Sequence, residues 1–566
     1  MKKPWEFLSE FKQTYFTQDW PSVAQMFEIT CARYPENNCF TTFDPVLLRF
    51  NYTEALREIR KLAAFLDASK VQQGDAVVVS GKNSPEWAIA YLAVLYAGCR
   101  IVPIDYQLET ETIDHLSRYA EIKAAFIDEE KFDDLQGLAK KDYTVYSLSK
   151  NKEGYILNLS SEAEMEKPVD VDIDTTAAIL FTSGTTGKPK GVMLSHRNLV
   201  CDTYISQNNL TILSTDVFYA ILPIHHSYTM TAVFLEAISV GAEVVFGKRM
   251  ATQQILKDLK QGQITMLLGV PLLFNKLLKG ILKGIKAKGA FVYGLIRFLM
   301  GFSGFVKSVF GVNIGKKLFS SVLEKASLNH IRICISGGGP LASSTFQAFN
   351  QLGINFVQGY GLTETSPIVA LNPVHHFKIK SVGQVLPRLE FRIADKDAEG
   401  RGEIQIKGPV IMQGYLKDPE STQESFTDDG FFKTGDVGYL DSENYVYLTG
   451  RKKSLIVTEG GKNVYPEEIE NKFQLFDEVE QILVRGYELD KEYNTEGIEA
   501  VIFPNLDAFS PHADDEAIKK RLDEVIDEVN SKLLPYQKIS KLTILNEPLE
   551  MTTTKKIKRY KAQRED

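Results

Sequence analysis

The sequence predicts an α/β protein: a large N-terminal domain of helix-covered sheets with a strand-rich subdomain, followed by a small α+β C-terminal domain. Three patterns lead there. Short apolar runs rich in β-branched residues recur between helix-like stretches, at Ala76-Val79, Ala178-Phe181, Glu243-Phe246, Thr265-Leu268, Ile331-Ile335 and Ile354-Val357. Strands alternating with helices imply a parallel sheet with helices on its faces. From about Leu389 the alternation shortens to period two, as in Glu403-Ile404-Gln405-Ile406-Lys407 and Tyr445-Val446-Tyr447-Leu448, which marks antiparallel strands with one buried face. After Gly450-Arg451 the pattern becomes compact. Tyr465-Pro466-Glu467-Glu468 opens a helix, because proline suits the first turn and carboxylates favour the positive helix end. Strands at Gln481-Val484, Ala500-Phe503 and Leu542-Leu545 and a charged helix from about Asp514 to Leu534 complete a unit of domain size. The expected domains are 1–450, with the strand-rich subdomain over about 386–450, and 451–566.

Composition narrows the function classes. The chain has 566 residues, 65 Lys+Arg against 73 Asp+Glu for a net charge of −8, and 44% hydrophobic residues. That is a globular protein with material for several cores, and its mild acidity argues against a nucleic-acid partner. Five scattered cysteines form no CxxC pair, so they read as packed, reduced thiols rather than zinc or redox ligands. Mixed polar sequence follows Met1-Lys2-Lys3-Pro4-Trp5-Glu6, unlike a secretory signal, and no run of 18 apolar residues occurs. A cytoplasmic address is expected, either free or peripheral on a membrane surface.

The strongest chemical signal is Thr182-Ser183-Gly184-Thr185-Thr186-Gly187-Lys188-Pro189-Lys190-Gly191, directly after an apolar strand. Three glycines, four hydroxyls and two lysines in ten residues suit phosphate. Glycine admits close backbone approach, hydroxyls and N–H groups donate hydrogen bonds, and lysine neutralises charge. The spacing is not that of a Walker A loop. A flexible surface loop is the bland alternative.

This decapeptide resembles the signature of the adenylate-forming superfamily of acyl-CoA synthetases, luciferases and peptide-synthetase adenylation domains. Further matches follow in the family's order: Leu222-Pro223-Ile224-His225-His226-Ser227, Ser336-Gly337-Gly338-Gly339-Pro340-Leu341, Tyr360-Gly361-Leu362-Thr363-Glu364-Thr365, Thr434-Gly435-Asp436, Gly450-Arg451-Lys452-Lys453 and Lys556-Ile557-Lys558-Arg559. The closest resemblance is to long-chain fatty acid–CoA ligases.

Each match also has its own physics. Gly337, Gly338 and Gly339 end a strand with room for a flat or anionic group, and Pro340 is placed to start a helix. The resemblance assigns this loop to the adenine face, with Tyr360 stacking nearby and Gly361 beside it. A carboxylate between two hydroxyls can hold a hard cation that bridges phosphates, and by resemblance Glu364 is the Mg²⁺ ligand and Thr363 contacts the α-phosphate. Asp436 can accept hydrogen bonds from both ribose hydroxyls, and by similarity Arg451 approaches the same nucleotide. His225 and His226, taken as strand neighbours, would face opposite ways and so not share a metal. The resemblance puts His226 at the mouth of the carboxylate pocket as a positioning group.

Met551-Thr552-Thr553-Thr554-Lys555-Lys556-Ile557-Lys558-Arg559 resembles the family's final motif, in which one lysine bridges the carboxylate and the α-phosphate. The usual glycine before that lysine is Lys555 here, so the register could lie on either residue; the Lys-Ile-Lys-Arg spacing favours Lys556. The resemblance implies an ATP- and Mg²⁺-dependent ligase that joins a fatty acid to CoA through an acyl-AMP. Its small C-terminal domain would be mobile, rotating about Lys453 to exchange the Lys556 face for a thiol-accepting face near Gly461. No protein nucleophile is needed, in keeping with the lack of a GxSxG elbow. A ligase that loads an acyl carrier protein and a silent nucleotide- or acyl-binding relative are the alternatives.

One stretch departs from the global charge. Between Asp258 and Glu324 there is no acidic residue, but ten lysines and arginines, and Phe291, Leu295, Phe298, Phe302, Phe305 and Val309 recur at helical spacing. A basic amphipathic stretch over about 276–320 suits a membrane surface. It suits equally a helix that covers the acyl pocket with solvated lysines.

Overall fold

The computed structural model describes residues 3–159, 163–182, 189–458, 462–490, 495–510, 513–551 and 557–559. Among these residues the strands form a thirteen-stranded sheet, a seven-stranded sheet, a two-stranded ribbon and a three-stranded sheet. All six apolar runs are strands. Ala76–Ser80 and Thr176–Thr182 lie in the seven-stranded sheet; Glu243–Phe246, Met266–Gly269, Ile333–Ser336 and Asn355–Gly361 lie in the larger one. Each pairs in parallel with at least one neighbour.

Parallel strands need cover on both faces, and helix Pro85–Tyr96 supplies it. Its sequence, PEWAIAYLAVLY, is apolar all round, so it belongs between layers rather than on a surface. It packs against strands of both large sheets, with Trp87 and Tyr91 wholly buried and stacked at 5.2 Å between ring centroids. Ser84 caps it, its Oγ accepting the Trp87 N–H at 3.1 Å.

The period-two region continues the larger sheet. Ile368–Leu371 runs antiparallel to the last parallel strand, Asn355–Gly361. Gly383–Val385, Tyr445–Arg451, Phe432–Leu440, Gly402–Lys407 and Glu390–Ala394 then follow in that spatial order, each antiparallel to its neighbour. Antiparallel pairing thus begins well before alternation becomes legible at Leu389, because Ile368–Leu371 is buried on both faces and does not alternate.

Beyond Arg451 the chain makes its own core. Ile456, Ile469, Val484, Ile502, Leu522 and Val525 are buried in a cluster drawn from residues 456–539. The short helix Pro466–Glu470 has its proline in the first turn, and Asp514 caps helix Asp515–Asn530 by accepting the Ala517 N–H at 2.8 Å. Strand Thr495–Pro504 pairs antiparallel with Val479–Asp490 and parallel with Lys541–Ile544. All five cysteines are buried free thiols.

Pro340 corrects one expectation: it starts no helix. The chain crosses 337–342 as a loop and the helix is Ser343–Gln351. Gln474, from the C-terminal unit, donates its side-chain amide to the Pro340 carbonyl at 2.9 Å, so a neighbour rather than a helical turn braces this loop.

Candidate active site

A strand pair of one sheet and a turn leaving the other are held together by one segment. In the seven-stranded sheet, Thr176–Thr182 and Lys190–Ser195 form a hairpin in which Thr182 pairs with Lys190. Ser183, Gly184, Thr185, Thr186, Gly187 and Lys188 lie outside the described residues. In the larger sheet, the chain leaves Gly361 through the single 3₁₀ turn Thr363–Thr365. Segment 409–415 joins them: Gly414–Tyr415 pairs with Met193 and Val192 of the hairpin, and the Met412 N–H donates to the Glu364 carbonyl at 2.9 Å. Asn198 Nδ2 fixes the same segment through the carbonyls of Pro409 (2.8 Å) and Ile411 (2.9 Å).

Tyr415 is the hub of this junction. Its hydroxyl donates to Glu364 Oε1 at 3.1 Å, and the Lys190 ammonium lies 4.7 Å from its ring centroid while donating to Ser421 Oγ at 2.8 Å. Thr363 Oγ1 shares a hydrogen bond with Ser227 Oγ at 3.1 Å. The Ser366 hydroxyl donates to the Val410 carbonyl at 2.7 Å, and its carbonyl accepts from Thr231 Oγ1 at 2.9 Å. These bonds hold Ser366 in the left-handed region, with φ +76°. Thr231 reaches it from Met230–Leu235, a π-helical segment of a kind often found at functional sites.

Gly361 tolerates no side chain: a Cβ there would lie 1.6 Å from the Pro367 carbonyl oxygen, a backbone atom that cannot swing aside. We predict that Gly361→Ala displaces the Thr363–Thr365 turn. ATP–pyrophosphate exchange should fall roughly a hundredfold, the scale seen when a charge-stabilising group moves. Exchange within a factor of two of wild type would show the turn does not carry the chemistry.

A second cluster lies on adjacent strands. Asp436 and Arg451 are register partners, with Arg451 Nε 2.9 Å from Asp436 Oδ1, and the buried Tyr360 hydroxyl donates to Oδ2 at 2.7 Å. The neighbouring carboxylate raises the Arg451 pKa, and burial, with Asp436 second, holds the Tyr360 phenol protonated. Arg451 remains about half exposed, at 48% of its side chain, so the cluster has an open side. The loop Gly337-Gly338-Gly339 runs past Tyr228; a Cβ on Gly337 would lie 2.8 Å from that ring.

The histidines differ from expectation. His225 and His226 sit in a turn, not a strand, and their rings approach to 4.4 Å between centroids. Burial pushes His225 down to about 3 and keeps it neutral, whereas His226 is half-buried at the start of the segment carrying Ser227 and Tyr228. Asn83 fixes this turn by donating to the Ala220 and Leu222 carbonyls and accepting the Ile224 N–H.

Two carboxyls lie behind the Thr363–Thr365 turn. Asp202 accepts the Ile368 N–H at 3.2 Å, and Glu236 accepts the Ser206 hydroxyl; burial raises both pKa values, Glu236 to about 8. A carboxyl whose pKa rises on folding binds its proton more tightly in the native state, so its contribution is complete below about pH 4.5 and is lost as pH climbs through 8. Glu236→Gln removes that titration. Its melting temperature relative to wild type should therefore improve steadily between pH 5 and pH 8; a pH-independent difference would contradict a protonated Glu236.

Lys453 lies in the exposed 3₁₀ turn Lys452–Ser454, immediately after Arg451. Gly461, Lys555 and Lys556 lie outside the described residues. The flanks of the last motif are firmly held: Met551 and Ile557 bridge antiparallel, the Lys558 N–H donates to the Glu550 carbonyl at 2.9 Å, and Arg559 bonds the Glu470 carboxylate and the Val484 carbonyl.

Among the described residues, no group of three His, Cys, Asp or Glu side chains could enclose an ion. Mg²⁺ commonly needs only one or two carboxylates, with water and substrate phosphates completing its shell. Glu364, half-buried with Oε1 engaged by Tyr415, suits that mode. Tyr415, Ser227, Asn83, Asp202 and the Arg559–Glu470 pair escaped the sequence reading. Of these, only Ser227 and Arg559 stand inside quoted motifs; nothing in the local pattern marks the others.

The family model of the AMP-binding enzymes matches residues 27–416, more than half the chain. The chain belongs to the AMP-binding enzyme family. This AMP-binding protein is 26% identical over 579 residues to a long-chain-fatty-acid–CoA ligase of Bacillus subtilis (strain 168), covering 95% of this chain and 93% of that one. It is 25% identical over 608 residues to the chloroplastic long-chain-fatty-acid–[acyl-carrier-protein] ligase AEE15 of Arabidopsis thaliana, covering 93% and 81%. It is 27% identical over 452 residues to a 2-succinylbenzoate–CoA ligase of Enterococcus faecalis (strain ATCC 700802 / V583), covering 77% and 80%. The solved structure of ATP-bound MatB from Rhodopseudomonas palustris superposes with a TM-score of 0.74 at 26% identity, over 96% of this chain and 98% of that one. That superposition extends the likeness of this AMP-binding enzyme past residue 416, to the strands of Asp436 and Arg451 and the C-terminal unit.

Proposed function

We propose that the protein activates a long-chain fatty acid with ATP, through an acyl-AMP, and transfers the acyl group to CoA with release of AMP and diphosphate. The observation that carries this reading is the nearness in the chain of two sites: the strand residues Tyr360–Asp436–Arg451, suited to a nucleoside, and, three residues after Tyr360, the turn Thr363–Glu364 with Tyr415 and Lys190, suited to phosphates. The named relatives, two of them long-chain fatty acid ligases, support the acid class.

A carboxylate is a poor electrophile, since its charge repels nucleophiles and oxide leaves badly. Its attack on the α-phosphorus of ATP expels pyrophosphate and makes a mixed anhydride that a thiol can open. Two anions must meet, so donors have to wait where charge gathers. In our reading Asp436 accepts the ribose hydroxyls, Arg451 and Tyr360 hold Asp436 in place, Thr363 donates to the α-phosphate, and His226 orients the acid. Residues 182–187 and Lys190 serve the outer phosphates, Gly337, Gly338 and Gly339 line the adenine face beside Gly361, and Lys556 bridges carboxylate and phosphate. Glu364 would hold Mg²⁺, which when bound would supply a Lewis acid for the phosphate charge. The unit 451–566 then turns about Lys453, bringing the region of Gly461 to the thiol.

The similarity to the Arabidopsis ligase keeps a carrier protein as the second acceptor to test. A panel of acids of graded length, each assayed with CoA and with acyl carrier protein, decides between them. Long-chain acyl-CoA is the expected product; acyl transfer to the carrier alone would replace the CoA reading.

A further inference from the structure

Among the described residues, Ala290–Phe310 is the one helix that is both long and apolar enough to span a bilayer. It is 21 residues long, with mean hydropathy of 1.3 in its most apolar window, yet only 11% of that window is buried. Phe291, Leu295, Phe298, Phe302, Phe305 and Val309 follow one another at alternating steps of four and three, and so share one narrow stripe. That stripe faces solvent: Phe291 is 83% exposed, Phe298 71% and Phe305 59%. Monomeric surfaces rarely leave such a patch open without a use.

The helix is fastened by its opposite side. Met300 and Ser303 are buried, and Lys307 reaches inward to donate to Asn350 Oδ1 at 2.8 Å and Asn355 Oδ1 at 3.0 Å. A helix held along one side cannot cross a bilayer, but it can lie on one. It also presents its aromatic stripe away from the core that it packs on.

Charge identifies the occupant. No acidic residue interrupts 259–323, and Lys283, Lys286 and Lys288, all exposed, stand at the joint where helix Pro271–Lys286 gives way to the aromatic helix. Exposed phenylalanines beside a group of lysines complement an anionic lipid surface, where rings enter the headgroup–acyl boundary and ammonium groups meet lipid phosphates. A second copy of this stretch would bring further lysines and arginines and no carboxylate to meet them.

We propose that Ala290–Phe310 is a membrane-docking helix that lies in the plane of an anionic bilayer with its Phe291–Val309 stripe inserted. The proposal is independent of the ligase reading, because neither the stripe nor the lysines belong to the candidate active site. The test is co-sedimentation of the full chain with vesicles of phosphatidylcholine, with or without phosphatidylglycerol, for wild type, for Phe298→Ser/Phe302→Ser/Phe305→Ser and for Lys283→Glu/Lys286→Glu/Lys288→Glu. Wild type should partition onto the anionic vesicles, and either triple variant should lose roughly tenfold in partitioning. A Phe298→Trp variant should show a blue-shifted emission on the same vesicles, a readout that does not depend on the triple variants folding. Wild type remaining in the supernatant, equal partitioning of the Phe variant, or a wild-type dimer that the Phe variant dissolves without any vesicle binding would each overturn the proposal.

Discussion

Replacing Lys556 by alanine is expected to abolish acyl-AMP formation while leaving thioester formation from supplied acyl-AMP nearly intact. The asymmetry follows from where charge develops. Joining a carboxylate to a phosphate requires a cation between two anions, and removing such a preorganised donor costs about a hundred- to a thousandfold in rate. The second half-reaction starts from acyl-AMP already made, so no carboxylate has to approach a phosphate. The mooring of the motif's flanks adds a control. Arg559 binds Glu470 and the Val484 carbonyl, so Arg559→Ala should weaken adenylation by loosening that anchor and leave the supplied-intermediate reaction alone. Lys453→Pro should show the reverse split if, as we propose, the turn at Lys453 is the hinge for the second step. Equal loss of both half-reactions in Lys556→Ala would move the assignment to another lysine, Lys555 first.

Glu364→Ala is the second large effect. It should lower ATP–pyrophosphate exchange at least a hundredfold and raise the Mg²⁺ concentration needed for half-maximal rate. Tyr415→Phe separates direct from supporting roles. The tyrosine's hydrogen bond to a carboxylate is worth about 1.5–3 kcal/mol, so its loss should shift the Mg²⁺ requirement by at most roughly ten- to a hundredfold. Because the ring remains beneath Lys190, the fold should be unaffected. A Mg²⁺ dependence unchanged in both variants would remove the metal role from this turn.

The legibility of the sequence varied with the physics of each element. Buried parallel strands announce themselves as apolar runs, and all six were found where the pattern put them, with ends shifted by a few residues. The acidic first turn at Pro466 and the charged helix after Asp514 were equally readable, since caps and dipole chemistry are local. Pro340 misled because a proline at a loop's end looks the same whether a helix or a neighbouring side chain comes next. His225 and His226 misled for a related reason: an apolar flank suggested a strand, but Asn83, more than a hundred positions earlier, fixes the segment as a turn. Tyr415 was invisible, since its role comes from an edge pairing with Val192 that no local pattern encodes. Tyr360, Asp436 and Arg451 stand in motifs far apart, and the sheet brings Tyr360 and Arg451 each within hydrogen-bonding distance of Asp436.

If the chain uses ATP to activate a fatty acid, ATP–pyrophosphate exchange registers that step without any acceptor. Purified protein with Mg²⁺, ATP and labelled pyrophosphate should form labelled ATP only when a long-chain acid is added, and Asp436→Ala should raise the ATP concentration required. Failure of every acid in the panel to promote exchange, by protein that still binds ATP, would contradict the account at its root.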